Sequence, residues 1–361
     1  MAELAVETVR LTLRAPLRFA WGSLAERELV RVRLRFGPGD AGEGEAAPLE
    51  GYDGVPLAAV LAALDAYAAV LADAGPEDDA AALLDACRAE RPLPQALAAV
   101  DLALWDRAGR RAGRPVAALL GGDASQPVAV NALVGAEDRA GAARAAAAAV
   151  AEGFTCLKVK VGIGDDAGRL AAMRATVGPE VAIRADANGA WGSPREALAN
   201  LRALAPVGLE LCEEPVHGLE ALREVRAESP VPVAADESAE ELSARAAGPG
   251  GAGGPRGAGW DAVDAVCLKI SRCGGIGGVL RDAEAARAAG VAVYLASTFD
   301  GPAGIAAGLH AAAALRATGE LLPCGLATLG AFAGIDAPAP VAGTLAVPPG
   351  PGLLGAAMLD R

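Results

Sequence analysis

Aromatic residues make up only 3% of this 361-residue chain, so no stacking platform for bases or sugars can be read in it. Histidine is scarcer still, with only His217 and His310 present, and any proton-transfer or ligand position must draw mainly on other side chains. The six cysteines, Cys87, Cys156, Cys212, Cys267, Cys273 and Cys324, form neither a CxxC pair nor a regular framework. That argues against cysteine-bound zinc and fits reduced thiols in a cytoplasmic protein. Residues 1–20 lack the continuous apolar segment and small-residue cleavage site of a secretory signal. No apolar run suits a membrane span, which needs about 20 residues. The Ala-rich runs 140–151 and 303–315 are too short or are broken by Arg144, Gly308 and His310, and read as buried helices. A formal net charge of −13 with no basic run argues against nucleic acid as a partner, while a small anionic substrate at a locally positive site stays compatible.

What the chain has in quantity is aliphatic residue: 53% of it is hydrophobic, enough for one large domain and a smaller one. Residues 1–115 read as an α+β unit, with strand-like alternation over 4–13 and 29–36 and helical spacing over 56–72 and 94–112, each helix opened by a proline. From residue 128 the pattern becomes short apolar strand then amphipathic helix, repeated. Strands are expected near 128–134, 155–161, 181–186, 208–213, 231–236, 263–270, 291–297 and 321–326. Helices are expected near 137–152, 166–177, 194–205, 219–228, 238–247, 276–289 and 303–316. The Gly-rich 248–259 stretch reads as a loop without chemistry. Eight strands with seven helices make the fold class α/β, a closed TIM-type barrel over 116–335. The Pro- and Gly-rich tail, 336–361, runs back over the first unit.

Functional residues of such barrels sit at the C-terminal ends of the strands. Lys158 and Lys160 lie two apart on the second strand, so both ammonium groups share one face while Leu157, Val159 and Val161 take the other. Alone, the pair reads equally as an edge guard. The next three strands, however, end in Asp186, in Glu213 and Glu214, and in Asp236 and Glu237, and the sixth carries Lys269. Each acid singly could be a helix cap. Three carboxylates at one mouth instead repel one another unless a divalent cation neutralises them, and an all-oxygen set selects a hard ion, Mg²⁺ foremost with Mn²⁺ as a substitute. A lysine facing that ion beside a second lysine has its pKa pushed toward neutrality and becomes a usable general base. The combination reads as proton abstraction alpha to a carboxylate.

These motifs resemble the muconate-lactonizing-enzyme-like subgroup of the enolase superfamily. Lys158-Val159-Lys160 looks like its KxK, Asp186-Ala187-Asn188 its DxN, Glu213-Glu214-Pro215 its ExP, Asp236-Glu237-Ser238 its DES, and Lys269 its sixth-strand lysine. The resemblance implies a modified (β/α)7β barrel under an N-terminal α+β capping domain. It implies Asp186, Glu213 and Asp236 as metal ligands backed by Asn188 and Glu237, with Glu214, pointing the other way along its strand, the weaker candidate. It also implies Lys160 and Lys269 as the proton-transfer residues on opposite faces of the substrate, and Lys158 as a source of positive field.

Neither histidine ends a late strand, as a mandelate-type racemase requires: His217 follows Pro215 in a loop and His310 lies in an Ala-rich helix. A dipeptide epimerase would carry an acidic DxD on the eighth strand, which here reads Cys324-Gly325-Leu326-Ala327-Thr328. Ser297-Thr298-Phe299-Asp300 with Cys324-Gly325-Leu326 resembles the o-succinylbenzoate synthases, lyases that dehydrate a succinyl-hydroxycyclohexadiene carboxylate in menaquinone synthesis. Ser297, Thr298, Asp300 and Gly325 are then the candidate substrate contacts, with residues 15–28 and 49–55 as closing loops. N-succinylamino acid racemisation and muconate cycloisomerisation are the alternatives within the subgroup. A metal-binding barrel without turnover and a lysine Schiff-base enzyme are those outside it. The sequence is compatible with a homo-oligomer.

Overall fold

The computed structural model describes residues 1–19, 22–135, 138–247 and 259–355. The N-terminal unit is an antiparallel sheet in the order β1 (Glu3–Phe19), β2 (Gly22–Gly37), β3 (Asp40–Ala46). Val30, Val32 and Leu34 of β2 are buried, while Arg31, Arg33 and Arg35 alternate with them toward Glu7, Glu43 and Glu3. Burial of the apolar face holds this sheet; exposed ion pairs of that kind contribute little. The ribbon of β1 and β2 runs through most of the 15–28 segment expected as a loop, because pairing resumes after a register shift between Thr12 and Leu17 that accommodates Pro16.

The elements additional to the expected set include a helix and β3 of the N-terminal unit. A helix over Ala80–Glu90 starts at Asp79, whose side chain accepts from the Ala82 amide. β3 contains Gly42 and Gly44, poor strand residues that are needed here for contact. A Cβ on either would strike the backbone of the Pro94–Ala112 helix, at Ala103 and Arg107 for Gly42 and at Ala99 for Gly44.

The second unit is a curled parallel sheet. β4 (Val128–Ala129) precedes β5 (Ala132–Val134), β6 (Cys156–Lys160), β7 (Ala182–Asp186), β8 (Leu211–Glu213), β9 (Val233–Ala235), β10 (Ala265–Leu268) and β11 (Ala292–Leu295). Neighbours run in chain order from β5 to β11, with helices at 139–151, 166–177, 194–204, 219–228, 239–247, 276–288 and 302–318 between or after them. The expected eighth strand is reduced to isolated bridges, since Pro323 offers no amide. The amides of Leu322 and Gly325 donate to Val293 and Leu295 at 3.1 and 2.7 Å, and that of Cys324 donates to Ala129 at 2.8 Å. The 322–325 segment thereby bonds to β11 at one end of the sheet and to β4, which precedes β5 at the other. The expected first strand is split in two, because β4 pairs with β12 (Thr344–Leu345) rather than continuing into β5. The tail then lies along the Pro94–Ala112 helix, where the Leu353 amide donates to Asp106. Of the expected 248–259 loop only Gly259 falls among the described residues.

One buried guanidinium fastens the sheet to the barrel. Arg27 donates to the carbonyls of Ala47, Pro48 and Thr298, with Glu45 and Asp300 as countercharges. Glu45 in turn accepts from the Gly301 amide at the start of the Pro302–Thr318 helix, at 2.7 Å. Burial, reinforced by Asp300 and opposed by Gly301 and Arg27, raises the Glu45 carboxyl to about 7. A carboxyl raised in the fold binds its proton more tightly than in the unfolded chain, so its contribution is complete below its ordinary pKa and is lost as pH climbs toward 7.

Two outcomes follow. Thermal melts of Glu45→Gln should show a smaller loss of stability between pH 5 and pH 7.5 than the parent, by up to about 3 kcal/mol. Gly44→Ala should lower stability by about 1–3 kcal/mol in denaturant titrations, since the added methyl has helix backbone in its place.

Candidate active site

Parallel register brings Lys160, Asp186 and Glu213 side by side at the ends of β6, β7 and β8. Asp236 follows β9 and Lys269 follows β10. All three carboxylates are buried, at 1%, 0% and 4% exposure for Asp186, Glu213 and Asp236. Lys158 Nζ lies 2.9 Å from Asp186 Oδ2 and 2.6 Å from Glu213 Oε1. Lys160 Nζ lies 2.8 Å from the same Asp186 oxygen and also donates to Asn188 Oδ1. Across the mouth, Lys269 donates to Asp236 Oδ1 and to the Tyr52 hydroxyl, which itself donates to Asp236 Oδ1 at 2.7 Å.

The pKa values separate the lysines. Burial alone would lower Lys158, but Asp186 and Glu213 outweigh it and hold that ammonium above its usual range. Asp186 is the converse: burial opposes its charge, Lys158 and Lys160 prevail, and it sits well below the carboxylate range. Burial pulls Lys269 down to about 7, with Lys158 and Arg272 adding to the fall and Glu213 resisting it. The depressed lysine thus lies across the mouth from Lys158, which two carboxylates at hydrogen-bond distance hold as a cation.

Glu214 does turn away from this cluster. Its backbone is left-handed at φ 40°, as is that of Asn188 at φ 44°, and such strain in non-glycine residues is stored where a site needs a particular side-chain direction. The Glu214 carboxylate accepts from the amides of Asp236 and Ser238 at 2.9 and 3.3 Å and from the Ser238 hydroxyl, which fixes the turn presenting Asp236. Asn188 donates to Glu237 at 3.0 Å, and burial, then Glu214 and Asp186, raises the Glu237 carboxyl to about 7. His217 lies against Glu214, and His310 bridges the Ala117 amide and the Leu353 carbonyl inside the fold. Neither histidine faces the cavity.

Above the charges is a cavity of about 110 Å³. Lys158, Lys160, Asp186, Asp236 and Lys269, with Asn188, form its polar side, and Ser297, Thr298 and Gly325 also line it. Asp300 does not reach it. That carboxylate is tied to the Thr298 amide and hydroxyl and faces Arg27 and Glu45 beneath the wall. Leu49, Tyr52, Leu133, Phe299 and Thr328 line the cavity without having been singled out individually. Leu49 and Tyr52 lie in the 49–55 segment taken as a closing loop, Phe299 and Thr328 in the quoted stretches after the seventh strand and along the eighth, and Leu133 is an apolar residue with no spacing to mark it.

Two of the three expected carboxylates, Glu213 and Asp236, converge closely enough to hold a divalent ion. Glu213, Asp236 and Cys267 offer atoms within 4.8 Å of one another, and the Cys267 thiol, pushed far up by burial, leaves the carboxylates as the hard donors.

The chain matches the enolase C-terminal domain-like family over residues 141–358 and the mandelate racemase/muconate lactonizing enzyme N-terminal domain family over 1–121. The protein belongs to the enolase superfamily. It is similar to a hydrophobic dipeptide epimerase of Enterococcus faecalis, at 30% identity over 86% of both chains. The structure of the dipeptide epimerase from E. faecalis V583, complexed with Mg and the dipeptide L-Leu-L-Tyr, matches with a TM-score of 0.82 at 26% identity, covering 97% of this chain and 98% of that one. Muconate cycloisomerase 1 of Pseudomonas putida is 30% identical over 84% of this chain and 81% of its own. An o-succinylbenzoate synthase of Thermobifida fusca is 38% identical over 56% of this chain and 60% of its own. This chain is thus an enzyme of the superfamily in its muconate-lactonizing-enzyme-like subgroup, and no helix among the described residues is long and apolar enough to cross a membrane.

Removing the Glu214 carboxylate strands the donors that it serves. Glu214→Ala should lower stability by at least about 2 kcal/mol in urea titrations, whereas a Glu214→Gln change, keeping one acceptor, should lose less.

Proposed function

We propose that this enzyme removes the proton alpha to a substrate carboxylate, with Asp186, Glu213 and Asp236 holding Mg²⁺, or Mn²⁺ in its place. The observation that carries the reading is the placement of Lys160 and Lys269. They belong to the second and sixth of eight barrel positions, on opposite sides of one cavity. A bound Mg²⁺ would supply fixed positive charge against the substrate carboxylate as its alpha carbon loses a proton. Lys160 takes that proton; Lys158, kept cationic by Asp186 and Glu213, adds positive field beneath. Lys269 faces the other side of the alpha carbon.

Within that chemistry the reaction favoured is the dehydration carried out by o-succinylbenzoate synthases. Lys160 returns its proton to the departing hydroxyl, and water leaves. Supporting this, the 324–328 segment has no carboxylate to hold a substrate amine, and the o-succinylbenzoate synthase of T. fusca shares 38% identity over its matched part. Racemisation of N-succinylamino acids is the second reading, favoured by a lysine on each face.

The test incubates the enzyme in D₂O with the cyclohexadiene substrate, N-succinylamino acids, dipeptides and muconate, following turnover and alpha-deuteration. Activity should vanish in EDTA and return with Mg²⁺, and Asp236→Asn should abolish it while the fold stays intact. Lys160→Ala should slow the dehydration by about 10²–10⁴-fold, and Lys269→Ala should stop any racemisation. Full activity of Asp236→Asn would overturn the metal assignment. Exchange without turnover across the panel would uphold the proton abstraction and remove the substrate.

A further inference from the structure

Below the lysines the inside of the barrel is lined by small side chains. Ala234, Ala265, Cys267 and Ala296 leave space that two large, fully buried residues fill, Arg184 and Tyr294. Both come from strands facing the barrel axis, and filling the interior in layers is what such barrels require. Packing alone would be met by any large apolar side chain. Tyr294 does something that phenylalanine could not.

Its hydroxyl donates to Glu213 Oε2 at 2.8 Å, reaching from the seventh barrel position to the fourth. The other oxygen of the same carboxylate, Oε1, takes the Lys158 ammonium at 2.6 Å. The two oxygens of Glu213 are thus given different tasks, one turned to the barrel floor and one to the charged cluster. The phenol is itself held. The Arg184 guanidinium lies 4.7 Å from the centre of its ring, and Arg184 is fixed by Glu210 and by the Pro323 carbonyl at 2.7 Å. Glu210 and Pro323 sit on the segments that enter the fourth and eighth barrel positions, so this stack is braced from two directions.

We infer that Tyr294 is a positioning residue for the metal site: it holds Glu213 Oε2 so that Oε1 is the oxygen presented to the ion. The inference rests on the metal role proposed above for Glu213. Groups that orient a ligand in this way are worth about 10–100-fold in metal affinity. Without the hydroxyl, Oε2 is a buried carboxylate oxygen robbed of its Tyr294 donor, and the carboxylate must rotate or recruit another partner.

Free Mn²⁺ counted by electron paramagnetic resonance gives the affinity directly, without reliance on turnover. The proteins compared are the parent, Tyr294→Phe, Tyr294→Met and Glu213→Gln, each also melted in the absence of metal. Tyr294→Phe keeps the ring over Arg184, and Tyr294→Met keeps much of the volume should the first variant fold poorly. The expected result is a rise in the Mn²⁺ dissociation constant of about tenfold or more for the folded hydroxyl-free variants, whatever their metal-free melting temperature. Lowered melting with affinity kept within about threefold, below the range for an orienting group, would make Tyr294 a packing residue and overturn the inference. If Glu213→Gln itself leaves the affinity unchanged, the metal assignment falls. If Glu213→Gln weakens binding and Tyr294→Phe does not, the positioning role alone falls.

Discussion

Three carboxylates buried at one barrel mouth demand positive charge at contact distance, and the arrangement of this protein follows from that demand. Asp186, Glu213 and Asp236 are almost wholly removed from water, where each would otherwise neutralise itself by taking a proton. Lys158, Lys160 and Lys269 answer from strands on either side. The same proximity makes the lysines unequal. Lys158 is bound to its cationic state by two acids, whereas Lys269, buried near other cations, approaches the neutral amine that proton transfer uses. A site of this kind is assembled from mutual electrostatics, and a change in one charge alters the others.

Holding such a cluster requires walls that do not move apart. The N-terminal unit contributes Leu49 and Tyr52 to the cavity, and the barrel contributes Ser297, Thr298 and Phe299. Arg27 joins these walls by gripping the 47–48 and 298 carbonyls with one guanidinium. Asp300 and Glu45, which serve as its countercharges, also hold Thr298 and the start of the Pro302–Thr318 helix. Phe299 lies between them with a left-handed backbone at φ 57°, a conformation that persists only when its surroundings over-determine it. Charge below and constraint at the sides together define the volume open to substrate.

The charged cluster was legible in the sequence because charged residues stand out at the ends of apolar runs. Period-two alternation places Lys158 and Lys160 on one face, and the ends of the third, fourth and fifth strands align without any knowledge of distant contacts. The seven barrel helices were legible from their amphipathic spacing in the same way. Other features carried no such mark. β3 has glycines where strands favour branched residues, for a reason that lies in the Pro94–Ala112 helix rather than in β3. Asp300 stands at a strand end like a ligand yet turns toward Arg27, 273 positions earlier in the chain. Leu133 and Thr328 join the cavity through barrel closure alone, and Pro323 leaves the eighth position to isolated bridges.

The sequence by itself determined which charged residues stand at the strand ends: the acids and the paired lysines follow from local periodicity, which depends only on neighbours in the chain. The tertiary structure decided their states and their supports. That burial and Lys158 depress Lys269 while Asp186 and Glu213 hold Lys158 as a cation, that Tyr52 joins Lys269 to Asp236, and that Tyr294 spans the barrel to Glu213 all depend on contacts that the fold makes between separate elements. Desolvation and Coulomb interaction are set by distances in space, and a linear pattern does not contain them.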